Sequence, residues 1–213
     1  MALPGKLIPL SQTELGVLRK FVKEHLMRGT IRPSKSPYKS RFFFIQKKDG
    51  MLHAVQDYRP VNQWTICNAY PLPLIPELID RLNGCSLYTK FDICWGYNNV
   101  RIKEGDEWKA AFITNEGLFE PTVMFFGLTN SPATFQTMMN SIFSEEVAER
   151  WMTIYMDDMA IHTKKREGET KQQHILHHRS YVCRVLVKLL KHNLFLKPEK
   201  CTFEQPSIEF LGV

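Results

Sequence analysis

Two short apolar segments, Thr153–Tyr155 and Met159–Ile161, stand on either side of Met156-Asp157-Asp158. Apolar runs of this length around a turn predict a β-hairpin, with the two acids at its tip. Adjacent carboxylates repel each other, so such a tip requires either open solvent or a bound cation. A solvated Asp-Asp turn is the commoner of these two arrangements, because Asp is frequent in turns.

A third acid, Asp92, lies at the end of another predicted strand, Leu87–Ile93, in which apolar and polar residues alternate. Three carboxylates on neighbouring strands can hold two divalent cations about 4 Å apart. No His or Cys accompanies the acids, so the oxygen ligands favour two Mg²⁺ ions, with Mn²⁺ as the alternative, over zinc. The sequence therefore predicts that Asp92, Asp157 and Asp158 converge on one metal site.

The rest of the chain mixes helices and strands without a β-α-β rhythm. Helices are predicted over residues 11–28, where Ser11 and Glu14 form a capping box, before Gly84, after Ser131-Pro132 and around Val182–Leu190. A hairpin joins Phe42–Gln46 to Met51–Asp57, and further strands are predicted at Asn98–Lys103, Trp108–Ile113, Val123–Phe125, Leu194–Leu196, Thr202–Phe203 and Ile208–Val213, with Arg32–Ser40 as an exposed connector. This pattern favours the α+β class with a mostly antiparallel sheet.

Composition bears on the partners of the chain and on its redox compartment. The 28 Lys and Arg residues against 22 Asp and Glu give a formal net charge of +6, which fits a polyanionic partner and an unspecialised basic protein equally well. The five cysteines are scattered singly, and no export signal or apolar run of about 18 residues is present. We therefore expect a reduced intracellular protein with no disulfide framework and no membrane partner.

Tyr155-Met156-Asp157-Asp158 resembles the Y-x-D-D motif of reverse transcriptases, and other segments follow the order found in polymerases of gypsy-type LTR retrotransposons. These segments are Ser36-Pro37-Tyr38, Lys47-Lys48-Asp49-Gly50, Gln56–Asn62, Tyr70–Pro73, Thr89–Asp92, Gly96-Tyr97-Asn98, Phe126–Gln136 and Leu196–Cys201. The resemblance covers nearly the whole chain, from about residue 8 to residue 213.

The resemblance implies a right-hand polymerase with fingers at about 1–84 and 106–130 and a palm at about 85–105 and 131–213. The palm would be a mostly antiparallel sheet flanked by helices, and the thumb is expected to be absent. The implied activity is RNA-directed DNA polymerisation, with dNTP and a primed RNA or DNA template as partners. The implied location is the cytoplasm, the nucleus or a retrotransposon particle, and the oligomeric state stays open.

By the same resemblance, Asp92, Asp157 and Asp158 match the catalytic metal ligands. Lys200 lies near the third palm motif of this group and is the candidate general acid for pyrophosphate. Tyr97 matches an aromatic gate against a 2′-hydroxyl, and an ordinary core tyrosine is the alternative. The implied nucleotide-binding residues are Lys47, His53, Ile93, Cys94, Tyr97, Phe126, Gly127 and Met156. The implied nucleic-acid-binding residues are Asn62, Pro132, Gln136, Tyr155, Leu211 and Gly212. Lys47 also fits a solvated turn lysine.

Three positions depart from the resemblance, because His53, Cys94 and Ile113 stand where arginine is common in this group. They favour a decaying element copy, so a catalytically impaired fragment that still binds nucleic acid or a partner is the alternative function. A palm-like nucleotide cyclase would share the paired acids, but the Tyr97 gate argues against it. The histidines of the 174–178 segment resemble a helical metal pair, and a solvated helix face is the prediction.

Overall fold

The structure, a computed structural model, describes residues 5–46 and 50–212. The helices are α1 (Gln12–Met27), α2 (Arg59–Asn62), α3 (Ile75–Leu82), α4 (Ser131–Ile142), α5 (Ser144–Ala148) and α6 (Lys171–Lys191). The strands are β1 (Ile31–Pro33), β2 (Ser40–Gln46), β3 (Leu52–Asp57), β4 (Leu87–Asp92), β5 (Phe112–Thr114), β6 (Gly117–Pro121), β7 (Met152–Tyr155), β8 (Asp158–Thr163) and β9 (Thr202–Gln205).

The chain forms two compact units. The first comprises the residues up to Asn68 together with Tyr97–Ser131, and the second comprises Ala69–Gly96 together with the residues from Pro132 onward. The fingers and palm boundaries given by the resemblance stay a prediction.

The first unit is built on a five-stranded sheet in the order β1-β6-β5-β2-β3. All its strand pairs are antiparallel except β2 with β5. The capping box that begins α1 is formed, because the Ser11 hydroxyl accepts from Glu14 N and the Glu14 carboxylate accepts from Ser11 N. Leu18 and Val22 of this helix pack on Phe42, Tyr58 and neighbouring aromatic residues, which are all buried.

The second unit is built on the antiparallel sheet β7-β8-β4-β9, against which α6 packs through β4 and β8. Phe91, Met159, Ile161 and Val185 are fully buried in this unit, which matches the strand and helix periodicities of the sequence. The predicted hairpin around the two acids is confirmed as β7 and β8. The α+β class with a mostly antiparallel sheet is likewise confirmed.

Several strands predicted for the middle of the chain are wrong. Residues Gly96–Asn99 and Glu107–Ala110 form 3-10 turns, and Arg101 makes only an isolated bridge with Val123. The Asn98 side chain donates to Met124 O at 2.9 Å, so a side chain satisfies a carbonyl that a strand ladder would otherwise pair. Only the end of the predicted strand Trp108–Ile113 is extended, within β5.

The edges of the two sheets also differ from the prediction. β1 overlaps the start of the predicted connector, and Pro33 is tolerated there because β1 is an edge strand and needs no further N–H donor. None of β6, α2 and α5 is predicted from the sequence. The strand predicted at Ile208–Val213 is absent from residues 208–212, because Leu211 and Gly212 adopt φ values of 56° and 84° and form a turn. Leu196 forms only a single bridge, with Ile93.

The histidines of α6 are not a solvated face. His174 and His178 are 6% and 0% exposed, and both contact the Thr163 hydroxyl, at 2.9 and 3.0 Å. His178 Nε2 also lies 2.9 Å from Thr89 Oγ1. The prediction is wrong for these two residues because threonine hydroxyls of β4 and β8 satisfy imidazoles that would otherwise need water. Among the described residues, no helix combines the length and apolarity that crossing a membrane requires.

Candidate active site

The three acids lie where the inner strand β4 ends and the inner strand β8 begins, at one edge of the second unit's sheet. Asp92, the last residue of β4, is the direct cross-strand partner of Asp158, the first residue of β8. Such partners have Cα atoms about 4.5–5.5 Å apart. Asp157 is joined to the same edge, because its carbonyl accepts from Ile93 N at 3.1 Å. The strand register therefore brings together the acids that the sequence pairs only by pattern.

Burial and like charge both act on Asp157. Burial raises the pKa of the Asp157 carboxyl, and the charges of Asp158 and Asp92 raise it further, against a backbone hydrogen bond that lowers it. Asp92 is only 8% exposed. The ionised cluster is thus under repulsive strain that a cation would relieve.

Lysine ammonium groups partly neutralise this cluster. Lys197 makes a close ion pair with Asp92, and Lys200 Nζ lies 3.3 Å from the other Asp92 oxygen. Lys90 Nζ lies 3.2 Å from Asp158 Oδ1. Burial alone would lower the pKa of Lys197, but the hydrogen bond and charge of Asp92 outweigh it, so the pKa is raised. Sequence reasoning missed Lys197 and Lys90.

The donor set fits a hard divalent cation, because carboxylate oxygens meet at this edge without sulfur or imidazole ligands. As the side chains stand, no group of three or more His, Cys, Asp or Glu in the described part of the chain is arranged to hold a metal ion. The Asp92 oxygens are directed to the two lysines instead. A metal ion at this edge would compete with Lys197 and Lys200 for the same carboxylate.

A buried amide holds the turn between the acid-bearing strands. Met156 has a φ of 52°, in the left-handed region, and its N–H donates to Gln136 Oε1 at 2.7 Å. Gln136, in α4, is 0% exposed and donates to Asn140 Oδ1 at 2.9 Å. Asn140 Nδ2 in turn donates to the Tyr70 hydroxyl at 2.9 Å. This chain of hydrogen bonds, the Gln136 relay, links α4 to the acid turn.

Sequence reasoning missed Asn140 and Tyr70. The spacing of Gln136 and Asn140, four residues apart within the apolar stripe of α4, is the signal that could have found them. A polar pair on the buried face of a helix requires an internal partner.

Other predicted residues lie in the first unit. The Tyr97 and Phe126 rings contact each other with centroids 4.7 Å apart, and Phe126 is 63% exposed. Gly127 has a φ of 92°, which favours glycine there. The Asn62 side chain donates to Gly127 O at 2.7 Å and accepts from Thr129 N at 3.0 Å, so it closes the turn at Gly127.

The remaining predicted residues differ in accessibility. His53 is exposed on β3, whereas Lys47 lies outside the described residues. Ile93 is fully buried, and Cys94 N donates to Phe195 O at 2.7 Å. Exposure is partial for Pro132, Tyr155 and Leu211, and Gly212 is exposed. The binding roles of all these residues stay predictions.

Comparison with known proteins supplies the family. The family model described as "Reverse transcriptase (RNA-dependent DNA polymerase)" matches residues 45–213. The Tf2-3 and Tf2-7 transposon polyproteins of Schizosaccharomyces pombe are each 36% identical to the chain over 210 residues, or 99% of it. The chain spans 15% of the length of these relatives.

Solved structures share the fold. A foamy viral protease-reverse transcriptase in complex with an RNA/DNA hybrid matches 98% of the chain with a TM-score of 0.85 and 19% identity, over 27% of its own length. The native prototype foamy virus enzyme matches 98% of the chain with a TM-score of 0.84 and 22% identity, over 26% of its own length. Together with the family model and the 36% identical relatives, this likeness establishes that the chain belongs to the reverse transcriptase family.

Proposed function

We propose that the chain is the fingers and palm part of an RNA-directed DNA polymerase. It would transfer a nucleotidyl group from a dNTP to the 3′-hydroxyl of a primer paired with a template, using two divalent metal ions. The observation that carries this proposal is the convergence of Asp92, Asp157 and Asp158 at one sheet edge. The family membership supports the same reaction.

Asp92, Asp157 and Asp158 would hold the metal ions. When bound, a pair of Mg²⁺ ions activates the attacking hydroxyl and neutralises charge on the phosphate and the leaving group. The raised pKa of Asp157 supports this assignment, because a carboxyl that is costly to ionise alone gains most from an adjacent cation.

Single-nucleotide incorporation tests the proposal. A labelled DNA primer on an RNA template is incubated with the complementary dNTP and Mg²⁺, and in a second arm with Mn²⁺. We expect one added nucleotide, none with a non-complementary dNTP and none with excess EDTA. Salt-sensitive binding of the primed template without extension in either metal would instead identify an impaired fragment. Formation of a cyclic nucleotide without extension would identify a cyclase.

Lys200 would act as the general acid that protonates the pyrophosphate oxygen as it leaves. Lys200→Gln is expected to lower kcat by about a hundredfold and to reduce the solvent deuterium isotope effect on kcat. Lys197→Gln is the matched control, because both ammonium groups contact Asp92 but Lys197 is the less exposed of the two. If the isotope effect falls in Lys197→Gln and persists in Lys200→Gln, the role belongs to Lys197.

The Gln136 relay is expected to position the acid turn. Gln136→Leu leaves the Met156 N–H without its acceptor and should lower the unfolding free energy by about 2 kcal/mol. It should also raise the Mg²⁺ concentration needed for half-maximal incorporation, which a purely structural loss would not do. Thr137→Ala is the control on the same helix, since the Thr137 hydroxyl donates its proton to Ala133 O within that helix. Equal metal dependence in both variants would contradict the positioning role.

His53→Arg tests the decaying-copy hypothesis. A guanidinium at this position would add a permanent, forked charge toward phosphate, so we expect the KM for dNTP to fall by about tenfold. Met27→Arg is the control, because it adds the same charge at a residue that is 77% exposed. An unchanged KM in His53→Arg would show that the histidine does not limit nucleotide binding.

A further inference from the structure

A second concave site lies in the second unit, at the end of β8 opposite to the acids. It is a cavity of about 490 Å³ between the end of α3, the turn before β7, the end of β8 and α6. β8 begins at Asp158 and ends at Thr163, so about 16–17 Å of strand separates this cavity from the acid cluster. None of the acids or lysines of that cluster lines it.

Three cations line this cavity, which we call the basic pocket: Arg81, Arg150 and Lys164. Within residues 5–46 and 50–212, none of the three has a carboxylate within ion-pair distance. Arg81 and Lys164 line the same cavity as His162, and both lower the pKa of this histidine, after burial, which is the main cause. Both cations therefore lie close to the His162 wall of the cavity.

The two acids at the rim do not balance these cations. Asp80 accepts from Asn83 Nδ2 at 3.3 Å. Glu149 accepts from Trp151 Nε1 at 2.7 Å and is paired with Arg184, which does not line the pocket. The pocket thus retains an excess of positive charge and of unused N–H donors.

Contacts among the lining side chains hold the walls of the basic pocket. Trp151 and Tyr181 stack in parallel, with ring centroids 4.2 Å apart and an interplanar angle of 2°. On the other side, Cys85 Sγ lies 3.5 Å from Nδ1 of the buried His162. His177 Nδ1, also in this lining, makes no hydrogen bond among the described residues and lies 3.7 Å from Glu169 Oε1, a carboxylate that does not line the pocket. Binding would therefore require little reorganisation of the protein.

We propose that the basic pocket binds the phosphate group of a small phosphorylated ligand. Guanidinium and ammonium groups that converge without protein carboxylates recognise phosphate by charge-assisted hydrogen bonds. The cavity volume falls within the range for small-molecule and cofactor sites, about 300–1,000 Å³. Because the pocket is separate from the acid cluster, this inference does not rest on the proposed polymerase function.

Calorimetric titration of the metal-free chain tests the pocket. Sodium pyrophosphate and a dNTP are titrated separately, in EDTA and at constant ionic strength. We expect saturable binding of one equivalent that weakens at least tenfold in the double variant Arg81→Gln/Lys164→Gln. Lys23→Gln/Lys191→Gln removes the same charge from exposed lysines outside the pocket and should leave binding unchanged. Thermal unfolding measures whether both double variants are folded. If Arg81→Gln/Lys164→Gln does not fold, the single variant Lys164→Gln is used in its place.

A short DNA duplex titrated under the same conditions distinguishes the source of the phosphate. Weakening of pyrophosphate and dNTP binding in the pocket variant identifies a free phosphorylated ligand, and weakening confined to the duplex identifies phosphates of a nucleic acid strand. Binding that survives in the pocket variant but is lost in Lys200→Gln would overturn the proposal, because the anion then binds at the acid cluster. Equal weakening in the pocket variant and its control would overturn it as well.

Discussion

Asp157→Asn should abolish nucleotide incorporation and at the same time stabilise the metal-free chain. The amide cannot bind a divalent cation as the carboxylate would, so we expect kcat to fall by about a thousandfold or more. Without metal, however, the ionised Asp157 is disfavoured by burial and by the charges of Asp158 and Asp92, so its removal should raise the unfolding free energy at neutral pH. A raised pKa means that this gain disappears at pH values below about 4, where the carboxyl is protonated in both states.

Incorporation and denaturant unfolding, measured on the same preparation, check both halves of this prediction. Asp106→Asn is the matched control, because Asp106 is an acid of the first unit paired with Lys109 and its pKa is lowered by that hydrogen bond. The control should retain incorporation and show no gain in stability. A loss of stability in Asp157→Asn would mean that the carboxylate supports the fold, and retained incorporation would remove it from the catalytic set.

The hairpin that carries the acids could be predicted from sequence because its signal is local. Two apolar segments around a short polar turn leave few alternatives, and β7 and β8 occupy the predicted positions. The helix-capping box at Ser11 is equally local and is formed. Where side chains a few residues apart determine the conformation, the sequence was sufficient.

Longer-range partners explain what the sequence did not predict. The 3-10 turn at Gly96–Asn99 is accompanied by the bond from Asn98 to Met124 O, a partner 26 residues away. The burial of His174 and His178 depends on Thr89 and Thr163, which come from two different strands. The sequence around them predicts a polar helix face, because a buried imidazole needs hydrogen-bond partners and these come from strands distant in sequence.

The acid cluster shows the same limit within the candidate site. The sequence predicts that the three carboxylates form one site, and the structure shows that Asp92 and Asp158 are cross-strand partners. The sequence does not indicate which lysine lies deeper beside these acids, because Lys197 and Lys200 are only three residues apart, just before β9. The structure distinguishes them by burial, with Lys197 27% and Lys200 58% exposed at the side chain.

Mild acid should unfold the second unit through its buried histidines. Burial lowers the pKa of His162 and of His178 to about 4, from an ordinary value of 6.5. The folded state therefore binds fewer protons than the unfolded chain between these values, and stability is complete above pH 6.5 and is lost as the pH falls toward 4. Each histidine should remove about 2–3 kcal/mol over that range.

The charges around each imidazole support the direction of this change. Beside burial, the positive charges of Arg81 and Lys164 and the imidazole of His178 lower the pKa of His162. The pKa of His178 is lowered further by His174 and His177, and Glu204 acts in the opposite sense. Together the two residues should remove about 5 kcal/mol, which is comparable with the whole stability of a typical domain.

Urea unfolding followed between pH 7.5 and pH 4.5 measures this loss directly. His178→Gln should be less stable than the parent chain at pH 7.5, because the contacts with Thr89 and Thr163 are disturbed, yet it should lose less stability on acidification. His192→Gln, at an exposed position just after α6, should keep the full pH dependence. If His178→Gln and the parent lose the same free energy between these pH values, carboxylates rather than the buried imidazole govern the acid sensitivity.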